Sequence, residues 1–289
     1  MSFTLEPIVA ATDFSEDAGH AVSRAARLAA QHGVRLELLH VVDRAGLDAV
    51  RAWARPVDLA ERLVDDARRL LGECAASLGS TASPRVAVGD VQEEILSSGA
   101  GAGLLVLGAH GVNPLHDLIV GTTAERLVGR CPRAVLVVRQ PPKADYRNAL
   151  VAIDLLSASE DAMRLAARIA PGARLTALHA YEVPFEGMLQ YAGVEQADID
   201  RHRAESFRRA FEEIRRLSAA ASGNAEGFLP IVDRGDAERL CLEHAQAIGA
   251  DLIVIGKRKR PALEALALGS VTRHVLANAT ADVLVLPLL

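Results

Sequence analysis

"GAGLLVLGAHGVNPLHDLIVGTT" occupies residues 101–123, and its first eight residues return later in the chain as "GADLIVIG" (249–256). Four consecutive apolar residues closed by a glycine read as a short strand buried on both faces, the kind a parallel sheet needs. The repeat extends outward from this stretch. "IVAATD" (8–13) returns as "LVAID" (150–154), "AARLA" (25–29) as "AARIA" (166–170), and "GVRLELLHVVD" (33–43) as "GARLTALHAYE" (172–182). "GDVQEEIL" (89–96) matches "GDAERLCL" (235–242), and "RAVLVV" (133–138) matches "DVLVLP" (282–287). The order is the same in both copies and the offset stays between 139 and 149 residues. Loop insertions between fixed elements produce drift of that size. The chain therefore reads as two copies of one unit, residues 1–140 and 148–289, joined at "QPPKADYRN" (140–148).

Within each unit, short apolar runs alternate with helical patterns. "SEDAGHAVSRAARLAAQHG" is a helix opened by Ser15, with two acids in its first turn, and stopped by Gly33. "PVDLAERLVDDARRLLGECAASLG" is a long amphipathic helix with Pro56 near its start, and Asp90 caps the next one. Apolar strands separated by helices imply a parallel sheet covered on both faces. The expected fold is α/β: two tandem doubly wound five-stranded domains. The final strands "AVLVV" and "DVLVLP" are uniformly apolar, and an exposed apolar edge invites pairing, so the halves are expected to pack as a pseudo-dimer.

The spacing Gly108-x2-Gly111-x9-Gly121-Thr122 follows the fourth strand. In an open parallel sheet ligands bind beyond the carboxyl ends of the strands. Gly108 and Gly111 lack Cβ atoms and so let backbone N–H groups approach an anion. Gly121, Thr122 and Thr123 lie at the start of a helix, where amides and dipole favour phosphate. A loop whose glycines serve turns alone has the same spacing. No Walker A sequence is present, and "GAGAG" (99–103) precedes a strand where a Rossmann fingerprint would follow one.

The glycine spacing, the early "VAATD" and the strand "LHVV" together resemble the universal stress protein family, over nearly the whole chain as a tandem pair. In nucleotide-binding members the aspartate ending strand one contacts the ribose or adenine side. A residue of strand two lines the adenine through its backbone, and the glycine stretch holds the phosphates. The resemblance implies ATP, with Mg2+ as a companion ion, at Asp13, Val41, Gly108, Gly111, Gly121, Thr122 and Thr123. In the second half Gly256 and Gly269-Ser270 remain, but Lys259 stands where the second glycine should be and Pro261 stiffens the loop. The nucleotide is therefore expected mainly in the first half, with the second half serving as its structural partner.

Composition bounds the alternatives. Half of the residues are hydrophobic but only 3% are aromatic, so the core must be built from Ala, Val, Leu and Ile. A net charge of −5 gives no general attraction to nucleic acid or anionic membrane. The "KRKR" run (257–260) is too short, and lacks the aromatic interleaving, to change that. Three scattered cysteines (Cys74, Cys131, Cys241), the absence of a basic n-region and the absence of a membrane-length apolar run give the expectation of a cytoplasmic protein. Three functions remain open. The first is an ATP-binding regulatory module read by a protein partner or a second copy of the chain. The others are a slow metal-dependent ATPase and an interaction protein with an empty glycine loop. The loop 109–120 shows no arginine finger and no fixed base.

Overall fold

The computed structural model describes residues 4–53, 58–79, 82–111, 122–156, 158–181, 194–224, 226–257 and 268–287. The first half runs β1 (Ile8–Ala11), α1 (Glu16–His32), β2 (Leu36–Asp43), α2 (Arg44–Trp53), α3 (Leu59–Ser77), β3 (Ala82–Gly89), α4 (Val91–Gly101), β4 (Leu104–Gly108), α5 (Thr122–Arg130) and β5 (Ala134–Val138). The second half runs β6 (Asn148–Ala152), α6 (Ser159–Ile169), β7 (Arg174–Tyr181), α7 (Gln196–Ser222), β8 (Leu229–Arg234), α8 (Ala237–Ala247), β9 (Leu252–Lys257), α9 (Ser270–Asn278) and β10 (Asp282–Pro287). Helix signals in the sequence act where expected. Ser15 accepts from the Ala18 amide, Asp90 accepts from the Glu93 amide, and α1 closes on Gly33 at φ 62°. The long helix expected from Pro56 differs in detail: α3 starts at Leu59, α2 precedes it, and Pro56 lies outside the described residues.

The ten strands form one sheet in the order β3-β2-β1-β4-β5-β10-β9-β6-β7-β8. Pairing within each half is parallel, and the halves meet where β5 and β10 run antiparallel, with Leu136 opposite Leu284. This is the expected pseudo-dimer. Strand residues alternate between two apolar layers that both cross the seam. Leu104, Val106, Leu136, Val254 and Leu284 face α1, α3, α6 and α7. Leu105, Leu107, Val137, Ile253 and Val283 face α4, α5, α8 and α9. Period-two alternation with both faces buried is what a sheet covered on both sides demands. Each open edge carries a proline, Pro84 in β3 and Pro230 in β8, which removes one donor from the exposed ladder.

The seam is also polar at one point. Asp282, 3% exposed, accepts from the Tyr146 hydroxyl at 2.7 Å and from the Arg139 amide at 2.9 Å, and lies 3.3 Å from Arg24 Nε. The Arg24 guanidinium stacks on the Tyr146 ring, and the Arg139 side chain donates to the Leu276 carbonyl. Burial pushes the Asp282 carboxyl up despite these donors, and it pushes the Tyr146 hydroxyl well up. The stretch read as a linker thus contributes a buried tyrosine to the join between the halves.

Candidate functional site

Strand one of each half ends in the same strained turn. Phe14 (φ 66°) follows Asp13, and Leu155 (φ 59°) follows Asp154. Left-handed backbone at a bulky residue costs on the order of 1–2 kcal/mol and marks a place held by its surroundings. The aspartates do the holding. Asp13 Oδ1 accepts from the Ser15 amide at 3.0 Å and its hydroxyl at 2.5 Å. Asp154 Oδ1 accepts from the Leu156 amide at 3.0 Å and the Ser159 hydroxyl at 3.2 Å. The Phe14 ring lies 4.4 Å from that of His40.

The two described glycines of the stretch are both close-contact positions. A Cβ on Gly108 would come within 2.8–2.9 Å of the Asp17 and Ala18 backbone, so its absence lets β4 sit against the first turn of α1. A Cβ on Gly111 would stand 2.8 Å from Asp13 Oδ2. The chain leaving β4 therefore passes directly over the aspartate that ends β1. It is pinned there by a contact that sequence reasoning did not single out: Asp17 Oδ2 accepts from His110 Nδ1 at 2.7 Å and from the His110 amide at 3.1 Å. Aspartate in the first turn of a helix, opposite a histidine one residue before a glycine, is the signal that was there to be read.

Asp13, Gly111 and the end of β4 are brought together, and Val41 lies on β2 two residues past Leu39, the partner of the last residue of β1. Thr122 opens α5 and Thr123 is exposed in its first turn; Gly121, Lys259 and Pro261 lie outside the described residues. In the second half the corresponding crevice holds a cavity of about 340 Å³ at the carboxyl ends of β6, β7 and β9. Asp154, Ser159, His179, Ala180, Ser270 and Thr272 line it, and that volume is within the range of small-molecule pockets. α9 is capped by Gly269 with no side-chain hydrogen bond, and its first-turn residues Ser270 and Thr272 line the cavity. The repeat register sets Ala158 opposite Asp17, so this half lacks the carboxylate that pins His110. The expectation of a second half acting mainly as structural partner did not include this cavity.

A family model described as the universal stress protein family matches the chain twice, over residues 4–139 and 145–287. The chain belongs to the universal stress protein family. It is 25% identical to a universal stress protein of Mycolicibacterium smegmatis, with 96% of each chain covered. The crystal structure of a universal stress protein from Archaeoglobus fulgidus shares the fold with a TM-score of 0.66 at 17% identity, covering 97% of both chains. A universal stress protein crystallised in complex with cAMP is 23% identical over half of this chain and 98% of its own, with a TM-score of 0.38. Among the described residues no helix is long and apolar enough to cross a membrane.

Proposed function

We propose that this tandem universal stress protein is an ATP-binding regulatory module, with the triphosphate held by the glycine stretch of the first half. The observation that carries the reading is the junction of Gly111 and Asp13. A glycine whose Cβ would meet Asp13 Oδ2 at 2.8 Å puts bare backbone amide beside the acid that ends strand one. Phosphates would then meet amides and the α5 N-terminus, with the ribose toward Asp13. Asp13 and Asp17 are hard oxygen donors of the kind Mg2+ accepts, but each is tied to Ser15 or His110. They fit a cation that arrives with the phosphates rather than a dedicated protein cage. In the second half the cavity and the α9 amides suit the nucleoside end and a short phosphate, while lysine in place of the second glycine crowds a triphosphate.

Hydrolysis follows as a slow side activity. His110 is oriented by Asp17, and Arg139, the described arginine that senses the Asp17 charge, is engaged with the Leu276 carbonyl rather than held for a transferring phosphoryl group. Turnover is expected well below the roughly 1–100 s⁻¹ of kinases. The test of the binding reading is a mass spectrum of denatured, purified protein. Co-purified adenine nucleotide supports it; protein that arrives free of nucleotide and takes up none on incubation with ATP removes it.

A further inference from the structure

The parallel ladder ends one step early in both halves, and a histidine side chain ends it. Along a parallel pair, a residue that donates its N–H to the neighbouring strand uses its C=O on the same side. The Thr12 amide donates to the Leu39 carbonyl at 2.9 Å, which makes the Val41 amide the next donor for the Thr12 carbonyl. The β1–β2 ladder instead closes at Ala11 and Leu39, and the Thr12 carbonyl accepts from His40 Nδ1 at 2.8 Å. The second half repeats this. The Ile153 amide donates to the Leu178 carbonyl at 2.9 Å, the β6–β7 ladder closes at Ala152 and Leu178, and the Ile153 carbonyl accepts from His179 Nδ1 at 3.1 Å. A carbonyl only accepts, so each ring carries a proton on Nδ1.

The consequence lies one residue further on. Val41 and Ala180 keep their N–H and C=O directed past the end of strand one, without the ladder partner that the register would give them. Ala180 lines the second-half cavity. We infer that His40 and His179 are positioning residues that reserve the backbone N–H and C=O of Val41 and Ala180 for the edge of an adenine base. One N–H and one C=O on the same residue match adenine, whose N1 accepts and whose N6 amino group donates. Guanine presents an accepting O6 and a donating N1–H in those places. A base whose ribose is held toward Asp13 or Asp154 cannot turn over to correct the mismatch. Unpaired polar groups in such a site reject the wrong base far more strongly than shape does.

This rests on the nucleotide reading above, and the experiment separates the two. In the full ligand-free chain, residue-resolved amide hydrogen exchange compares Val41 and Ala180 with the ladder residues Leu39 and Leu178. The wild type is expected to exchange at least about a hundredfold faster at the first pair. His40→Ala and His179→Ala should slow that exchange as the ladder closes by one bond. Competition between ATP and GTP is then measured on the same proteins. The ATP preference should fall at least about tenfold in His40→Ala, the loss of roughly one good hydrogen bond. It should be kept in His40→Asn, whose Nδ2 can still donate to the Thr12 carbonyl. Equal protection of Val41 and Leu39 in the wild type, or an unchanged preference in His40→Ala, overturns the role of the histidines. A wild type that binds neither nucleotide overturns the proposed function itself, and the base-reading role with it.

Discussion

Gly111 is where the account is most exposed at the level of single residues. Replacing it with lysine copies the second half's residue into the first, adding a charge that attracts phosphate and a side chain that meets Asp13 Oδ2. One charge–phosphate contact near the surface is worth about 1 kcal/mol. Losing two or three charge-assisted amide bonds costs roughly 1.5–3 kcal/mol each. ATP affinity of Gly111→Lys should fall at least about tenfold by calorimetry, with the melting temperature little changed. Undiminished affinity would mean that charge, not backbone access, governs the loop. The glycine spacing was legible in the sequence because absent side chains leave a visible mark. The second reason for Gly108, close approach to α1, was not, since the spacing says nothing of which helix crosses the strand end. Cys241 offers a test that needs no ligand. Burial pushes its thiol up to about 12, against about 8.5 in an unfolded chain. The folded state then holds a proton that the unfolded state loses, so stability is whole below about pH 8.5 and declines as pH rises toward 12. Denaturant unfolding at pH 8 and pH 10 should cost the wild type about 2 kcal/mol more than Cys241→Ala over that interval; equal losses would contradict it.

Among the elements, the turn after strand one was half legible. Ser15 and the two acids after it announced a helix entry in the first half, but nothing in "TDFS" or "IDLL" announces left-handed backbone at Phe14 and Leu155. That conformation is held by local hydrogen bonds to the preceding carboxylate, and in the first half also by the packing of the Phe14 ring on His40, which is a tertiary fact. Asp154→Ala removes the acceptor for the Leu156 amide and the Ser159 hydroxyl, and should destabilise the chain by about 1–2 kcal/mol. A shift within about 0.5 kcal/mol in denaturant melts would show that the turn is held by packing alone. The strands were the easiest elements to read, because residues buried on both faces leave unbroken apolar runs. Their ends were harder: β3 extends back to Ala82 through Pro84, which an edge position tolerates and an apolar run does not reveal.

For the whole molecule, repetition made the architecture readable from the sequence. Two copies of one unit ending in apolar strands imply an antiparallel join about a pseudo-two-fold, and β5 meets β10 with Leu136 opposite Leu284. What repetition hides is the asymmetry of the join. The ladder register sets Ala134 opposite Asp282 in the repeat, so only one side of the seam carries the Arg24–Asp282–Tyr146 cluster. Removing one partner of a buried ion pair costs about 3–5 kcal/mol because the other is left uncompensated. Asp282→Ala should lose that much in a single cooperative unfolding transition, since both apolar layers cross the seam. Two separate transitions would show halves that fold independently. The copies also differ at the proposed site: the strand-one turn and the ladder-ending histidine are present twice, the second glycine of the loop once. Calorimetric titration of the full chain with ATP and Mg2+ tests this most directly. One tight site per chain is expected, weakened at least about tenfold in Gly111→Lys; two equivalent sites, or no heat of binding at all, would contradict it.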